Sequence, residues 1–127
     1  MTQLQAIVER RTEIIFPNET NHYGTLFGGK ALAMMDVVAS IAAMRTCRKT
    51  VVTASVDRID FKEPIRAGEF AETIATVERI GRTSITVEVE LWAEHPTSGE
   101  RRLSTVGRFV LVAIGPDGKP TPLRDET

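Results

Sequence analysis

A chain of 127 residues suffices for one compact domain and is short for two. With 42% apolar and 26% charged residues, its composition is globular and not that of a disordered chain. Sixteen Lys and Arg against seventeen Asp and Glu leave a net charge of -1, which argues against a nucleic-acid-backbone binder but leaves room for a few local cations to hold a small phosphorylated ligand.

In chain order, Met1 to Arg11 carries Glu9, Arg10 and Arg11 and has no apolar core of signal-peptide length. Glu9 to Phe16 reads as a short strand, ended by Pro17 and Asn18, and Pro17 to Thr25 is rich in turn-forming residues. After Gly28 and Gly29, nothing breaks a helix from Lys30 to about Cys47, a run dominated by the good helix formers Ala and Met. Its apolar part, Ala31 to Met44, is interrupted by Asp36 and Ser40 and falls short of the roughly 20 residues a bilayer span needs. Cys47 is the single cysteine, which excludes an internal disulfide and a cysteine-based zinc site and suits a reducing compartment. A soluble, cytoplasmic protein is expected.

Everything downstream reads as strand. Val51 to Phe61 changes apolar parity between Val56 and Ile59, which predicts a bulge near Asp57 and Arg58. Phe70 to Ile80 and Ser84 to Glu94 are predicted to form a hairpin across Gly81-Arg82. Arg101 to Ile114 is a long last strand with a bulge expected at Gly107, and the tail from Pro116 to Pro120 is expected to turn away from the sheet. Short connections imply antiparallel pairing, so the fold class is α+β: one helix on one five-stranded sheet. Gly28-Gly29-Lys30 lacks the spacing of a Rossmann or P-loop fingerprint.

The helix is the informative element. From Ala31 to Met44 it has almost no polar face, and a helix apolar all round must be covered all round. A curled sheet covers part of it, and a second protomer is expected to close the rest. The small residues Ala39, Ala42 and Ala43 allow close approach. Asp36 lies in the middle of this run, where an unpaired carboxylate is costly. Either it is a structural group satisfied by an arginine or a backbone N–H, or it is a general base or nucleophile. Ser40 follows one turn later on the same face. Gly28 and Gly29 stand at the positive end of the helix, where N–H groups lack helical partners and can stabilise an oxyanion. From Gly28 to Asp36 the helix rises roughly 12 Å at about 1.5 Å per residue, too far for both to serve one carbonyl. Two antiparallel helices across a dimer axis would instead set Gly28 of one protomer beside Asp36 of the other. Asn21 supplies an amide that can hold a water or polarise a carbonyl, although in a Thr-Asn-His-Tyr-Gly loop it is also a natural turn former.

The stretch Phe16-Pro17-Asn18-Glu19-Thr20-Asn21, through Gly24 and Phe27-Gly28-Gly29, to Met34-Met35-Asp36 resembles the acyl-coenzyme A thioesterases of the hotdog fold. The group is the one containing the bacterial short-to-medium-chain hydrolases and the mammalian cytosolic long-chain enzyme. Val52-Thr53-Ala54-Ser55-Val56-Asp57, Phe61, Pro64-Ile65-Arg66-Ala67-Gly68-Glu69, Thr83-Ser84-Ile85 and Val87-Glu88-Val89 continue the resemblance, which covers one domain from about Ile7 to Pro122. It implies a helix wrapped by a five-stranded antiparallel sheet, dimers whose sheets join edge to edge, and trimers of dimers. It further implies hydrolysis of acyl-CoA to a fatty acid and coenzyme A, with coenzyme A as part of the substrate and no metal or other cofactor. Carried over by position, Asn21 and Gly28 come from one protomer and Asp36 from the other, and Ser40 fills the place where some relatives carry a hydroxyl.

In that reading Asp36 activates water or attacks the thioester carbonyl directly, Gly28 and Gly29 N–H groups hold the oxyanion, and Asn21 orients water or carbonyl. For the coenzyme A moiety, Arg82 beside Thr83 and Ser84 is the first candidate contact, ahead of Arg58, Lys62, Arg66 and Lys119. His22 and His95 read as loop residues, Cys47 as a buried inert thiol, and Trp92 as a residue packed at a protomer contact. Two rivals remain. A hotdog dehydratase of 3-hydroxyacyl thioesters usually needs a histidine that this helix lacks. A non-catalytic acyl-CoA-binding module usually carries an added domain.

Overall fold

In the computed structural model, residues 4–124 are described. Strand β1 (Val8–Ile14) leads through a single 3-10 turn at Pro17–Glu19 into helix α1 (Gly28–Cys47). Strands β2 (Val51–Phe61), β3 (Phe70–Ile80), β4 (Ser84–Glu94) and β5 (Arg101–Ala113) follow. They form one five-stranded sheet in the order β1-β3-β4-β5-β2, antiparallel throughout.

Alternation builds the core. Ile85, Val87, Val89, Leu91 and Ala93 of β4 are fully buried, as are Phe109, Leu111 and Ala113 of β5. This face meets Met34, Met35, Val38, Ala39, Ala42 and Ala43 of α1, each large aliphatic contributing about 1.5–3 kcal/mol by leaving water. The small residues Ala39, Ala42 and Ala43 therefore face the chain's own sheet. What stays open is the opposite side of α1, with Val37 at 46% exposure and Ala33 and Met44 also exposed.

Three local expectations need correction. Gly28 and Gly29 lie inside the first turn of α1, because glycine at the entry tolerates the helical backbone without needing to precede it. Gly107 is not bulged: it pairs in regular register with Val89. The irregularity is across from it in β2, where Arg58 and Ile59 together oppose Gly107, with Arg58 at φ 56°. The tail does not leave the sheet either. Gly118, at φ 77°, reverses the chain; Ile114 bridges Pro120, the Thr121 N–H donates to the Ala113 carbonyl, and Leu123 is buried in the core. Burying Leu123 outweighs the turn signals that suggested departure.

Candidate active site

One ion pair anchors the region around the helix start. Glu69, 6% exposed, accepts from both terminal nitrogens of Arg102 at 3.0 and 2.9 Å and from the Arg66 N–H at 2.8 Å. The Arg102 guanidinium holds the Glu69 carboxyl below the usual carboxylate range, against the opposing effect of burial. Arg102 also donates to the Pro64 carbonyl, so the segment from Pro64 to Arg66 is pinned from two sides. That segment in turn carries the loop before α1. The Leu26 N–H donates to Ile65, Thr25 bridges Arg66, and the Ala67 N–H donates to Gly24.

Within that loop Asn21 acts as a turn organiser. Its Oδ1 accepts from the Tyr23 N–H at 2.9 Å, the Thr25 N–H at 3.2 Å and the Thr25 hydroxyl at 3.1 Å. Among the described residues its Nδ2 has no partner, which leaves a donor for a carbonyl or a water. Gly28 and Gly29 N–H groups belong to the first turn, which has no preceding helical carbonyls to bond. A methyl group on Gly29 would meet nothing within 4 Å, and one on Gly28 would make ordinary contact with the Phe61 ring at 3.5 Å. Packing within the chain therefore does not demand glycine at either position. Beside Gly28 opens a cavity of about 310 Å³, lined by Ala31, Phe61, Lys62, Ile65 and Thr105 among others.

Asp36 lies near the middle of α1, half-buried, on the side that carries exposed Ala33 and Val37. Its Oδ1 accepts the Thr53 hydroxyl at 2.5 Å. Among the described residues no cation pairs with it, and the hydroxyl it receives is that of Thr53 rather than Ser40. Sequence reasoning missed Thr53. Thr53 pairs with buried Leu111 and so shares its face. A register shift between Thr53 and Ser55 restores Val56 to that face. The Glu69–Arg102 pair and the contact of Phe61 with Gly28 were missed as well, since each links residues far apart in the chain.

The structure separates the other candidates. Arg82, Thr83 and Ser84 lie at the far end of the sheet from Gly28: Arg82 and Thr83 carbonyls accept from Leu123 and Ala113, near the end of β5 and the start of β2. Lys62 lines the Gly28 cavity, and it lines a second one of about 260 Å³ together with Arg58, Asp60, Glu88 and Arg108. Arg66 sits in the pinned loop and Lys119 in the tail turn. Trp92 is half-buried under the Arg101 guanidinium, 5.2 Å from the ring centroid.

Residues 23–100 match the thioesterase superfamily profile. An uncharacterized acyl-CoA thioester hydrolase of Bacillus subtilis, YkhA, is 40% identical over 113 residues, 89% of this chain and 66% of that protein, so the chain spans about two thirds of its length. The acyl-CoA thioester hydrolase YciA of Salmonella typhimurium is 34% identical across 87% of this chain and 85% of its own. Among solved structures, an acyl-CoA hydrolase from Bacillus cereus superposes with a TM-score of 0.87 at 40% identity, covering 91% of this chain and 70% of that one. The Staphylococcus aureus acyl-CoA hydrolase, solved with butyryl coenzyme A and coenzyme A, gives 0.85 at 33% identity, covering 91% and 70%. Aspartate, asparagine and threonine to alanine variants of that enzyme have also been solved. The asparagine lies 15 positions before the aspartate and the threonine 17 after it, as Asn21 and Thr53 lie about Asp36. Two further similar structures are of hexameric acyl-CoA thioesterases. On sequence, on sheet and helix topology and on this spacing, the chain belongs to the acyl-CoA thioester hydrolases of the thioesterase superfamily, with the hotdog fold.

Proposed function

We propose that this chain hydrolyses acyl-CoA thioesters to a fatty acid and coenzyme A, at a site to which one protomer brings Asn21 and the Gly28 end of α1 and its partner brings Asp36. The observation that carries the reading is a half-buried carboxylate that pairs with no cation among the described residues, accepts one hydroxyl and lies beside the uncovered apolar side of α1. A group in that position is oriented but uncommitted, which suits proton transfer. The helix start is about 12 Å away along the same helix and needs an antiparallel partner to meet such a carboxylate.

In this mechanism Asp36 takes a proton from a water whose oxygen bonds to the thioester carbonyl carbon. The carbonyl π electrons move onto oxygen, and the Gly28 and Gly29 N–H groups receive the charge at the positive end of α1. The tetrahedral species collapses, the C–S bond breaks, and the thiolate leaves with the proton returned from Asp36. Asn21 Nδ2 donates to the carbonyl or the water, and Thr53 fixes the carboxylate. Ser40, one turn on along α1, is the proposed second hydroxyl of the site. Arg82, Thr83 and Ser84 of the sheet end, with Arg58 and Lys62, are the proposed contacts for pantetheine and phosphates. A homodimer is the minimum assembly, and a trimer of dimers is the proposed full one.

Thiol release from acyl-CoA substrates tests the reading directly. The unmodified protein is expected to liberate thiol, and Asp36→Ala to lower kcat by about 10²–10⁴, the usual worth of a positioned acid or base. Its melting temperature should stay near that of the parent, because Asp36 makes one hydrogen bond and is only half-buried. Turnover by Asp36→Ala at near-parental rate removes the carboxylate from the mechanism. Hydration of an enoyl thioester without hydrolysis would favour the dehydratase class, and binding without turnover a binding module.

A further inference from the structure

We propose that Ile59, seated over Gly107, is the wall that limits how long an acyl chain the site accepts; the inference rests on the thioesterase reading. The cavity beside Gly28 is lined by Ala31 of α1, Phe61 of β2 and Thr105 of β5. One inward-facing step further along each of these elements stand Met35, Ile59 and Gly107. All three meet at a single point: a methyl group on Gly107 would overlap Ile59 Cδ1 and would lie 3.5 Å from Met35 Cε.

Two features of the sheet create that contact. In β2, Arg58 takes φ 56°, so that Arg58 and Ile59 together oppose Gly107, between the pairs Asp57–Arg108 and Asp60–Val106. Ile59, two residues before Phe61, shares its inward face with Thr105, and the extra residue keeps Val56 on that same face despite the odd spacing. In β5, Gly107 is the inward position without a side chain, between Thr105 and Phe109, and the tip of Ile59 fills its place. Ile59 is half-buried: it packs against the core on one side and stays reachable on the other. Regular β pairing needs no glycine in β5, so its absent side chain is explained by what it accommodates.

An acyl chain whose carbonyl sits at Gly28 and whose methylenes run along Ala31 and Thr105 ends against Ile59. Removing that side chain adds room for longer chains. A methyl at position 107 displaces Ile59 toward the cavity and shortens it.

The test measures kcat/KM for saturated acyl-CoA substrates from butyryl to palmitoyl with the unmodified enzyme, Ile59→Ala, Gly107→Ala and the double variant. Ratios between chain lengths within one preparation cancel any loss of folded protein. Ile59→Ala should raise the long-to-short ratio about tenfold or more, since one methylene in an apolar pocket is worth that much. Gly107→Ala should move the ratio the other way. In the double variant, the new methyl occupies the space Ile59 vacates and should bring the ratio back toward the parent. Profiles of Ile59→Ala that run parallel to the parent at every length overturn the inference while leaving the thioesterase reading intact. Absence of thiol release from the unmodified enzyme at every length overturns that reading itself, and is told apart because no variant is needed to see it.

Discussion

The proposed site gives Asn21 two tasks on one amide, and a substitution can separate them. Its oxygen closes the turn by accepting from Tyr23 and Thr25, while its nitrogen is left for substrate or water. Asn21→Asp keeps an acceptor in the same place and removes the donor. It should therefore preserve the melting temperature and lower kcat by about 10²-fold, the usual cost of losing one transition-state hydrogen bond. Asn21→Ala should lower both, with a stability loss of about 1 kcal/mol for the turn. Thermal melting beside thiol release distinguishes the cases, and full activity in Asn21→Asp would confine Asn21 to the turn. In the sequence Asn21 reads as a turn former and, through the family resemblance, as a site residue; the loop pattern could not apportion its atoms. Thr53 was illegible for a different reason: beyond the shift marked by Val56 and Ile59, a second one between Thr53 and Ser55 leaves no trace in the apolar pattern.

At the level of elements, legibility followed the strength of local signals. β3 and β4 form where alternation and a glycine turn predicted them, and α1 forms where Ala and Met run without interruption. The bulge in β2 was also visible, because Val56 and Ile59 could not share a parity. Its relation to Gly107 was not, since a glycine in a strand signals either a bulge of its own or room for a neighbour. Equally invisible was the Glu69–Arg102 pair that ties the loop before β3 to the start of β5, and it has a pH consequence. Glu69 is held below its ordinary range chiefly by Arg102, so the folded state binds its proton less readily than the unfolded chain. Its contribution is complete above the ordinary carboxylate pKa of about 4.3 and is lost as pH falls through the lower folded value. Glu88 works in the opposite sense, raised by the Glu78 carboxyl beside it, and adds stability as acid protonates it. Comparing Glu69→Gln with the parent isolates the first effect. The variant should lose about 2 kcal/mol at neutral pH, with the gap narrowing below about pH 4. Melting curves across pH check this, and a gap independent of pH would show that the charge is not what stabilises.

As a whole molecule, the chain is incomplete along one side. The outer edge of β2 is unpaired, Val52, Val56 and Phe61 are exposed on that strand, and the exposed flank of α1 adds Val37 and Met44. An apolar edge strand left bare invites pairing with another chain. This face also holds Asp36, so in the proposed dimer covering it and completing the site are one event. The all-round apolar character of α1 made the need for a cover legible, but composition could not say which face stayed open, because Ala39 and Val37 look equally apolar in sequence. The shared-site arrangement makes a quantitative demand on mixed dimers. Let Asp36→Ala and Asn21→Asp protomers, each inactive alone, be unfolded together and refolded. A mixed dimer then has one site built from the intact Asn21 of the first and the intact Asp36 of the second, and one site lacking both. With random pairing, half of the dimers are mixed and about a quarter of all sites regain their full set, as isologous two-fold geometry requires. Thiol release near a quarter of the parental value is expected, with no recovery when the same two proteins are refolded apart. If each protomer held Asn21 and Asp36 of one site by itself, mixing could restore nothing, and a rate no higher than the separate variants would return the site to a single chain.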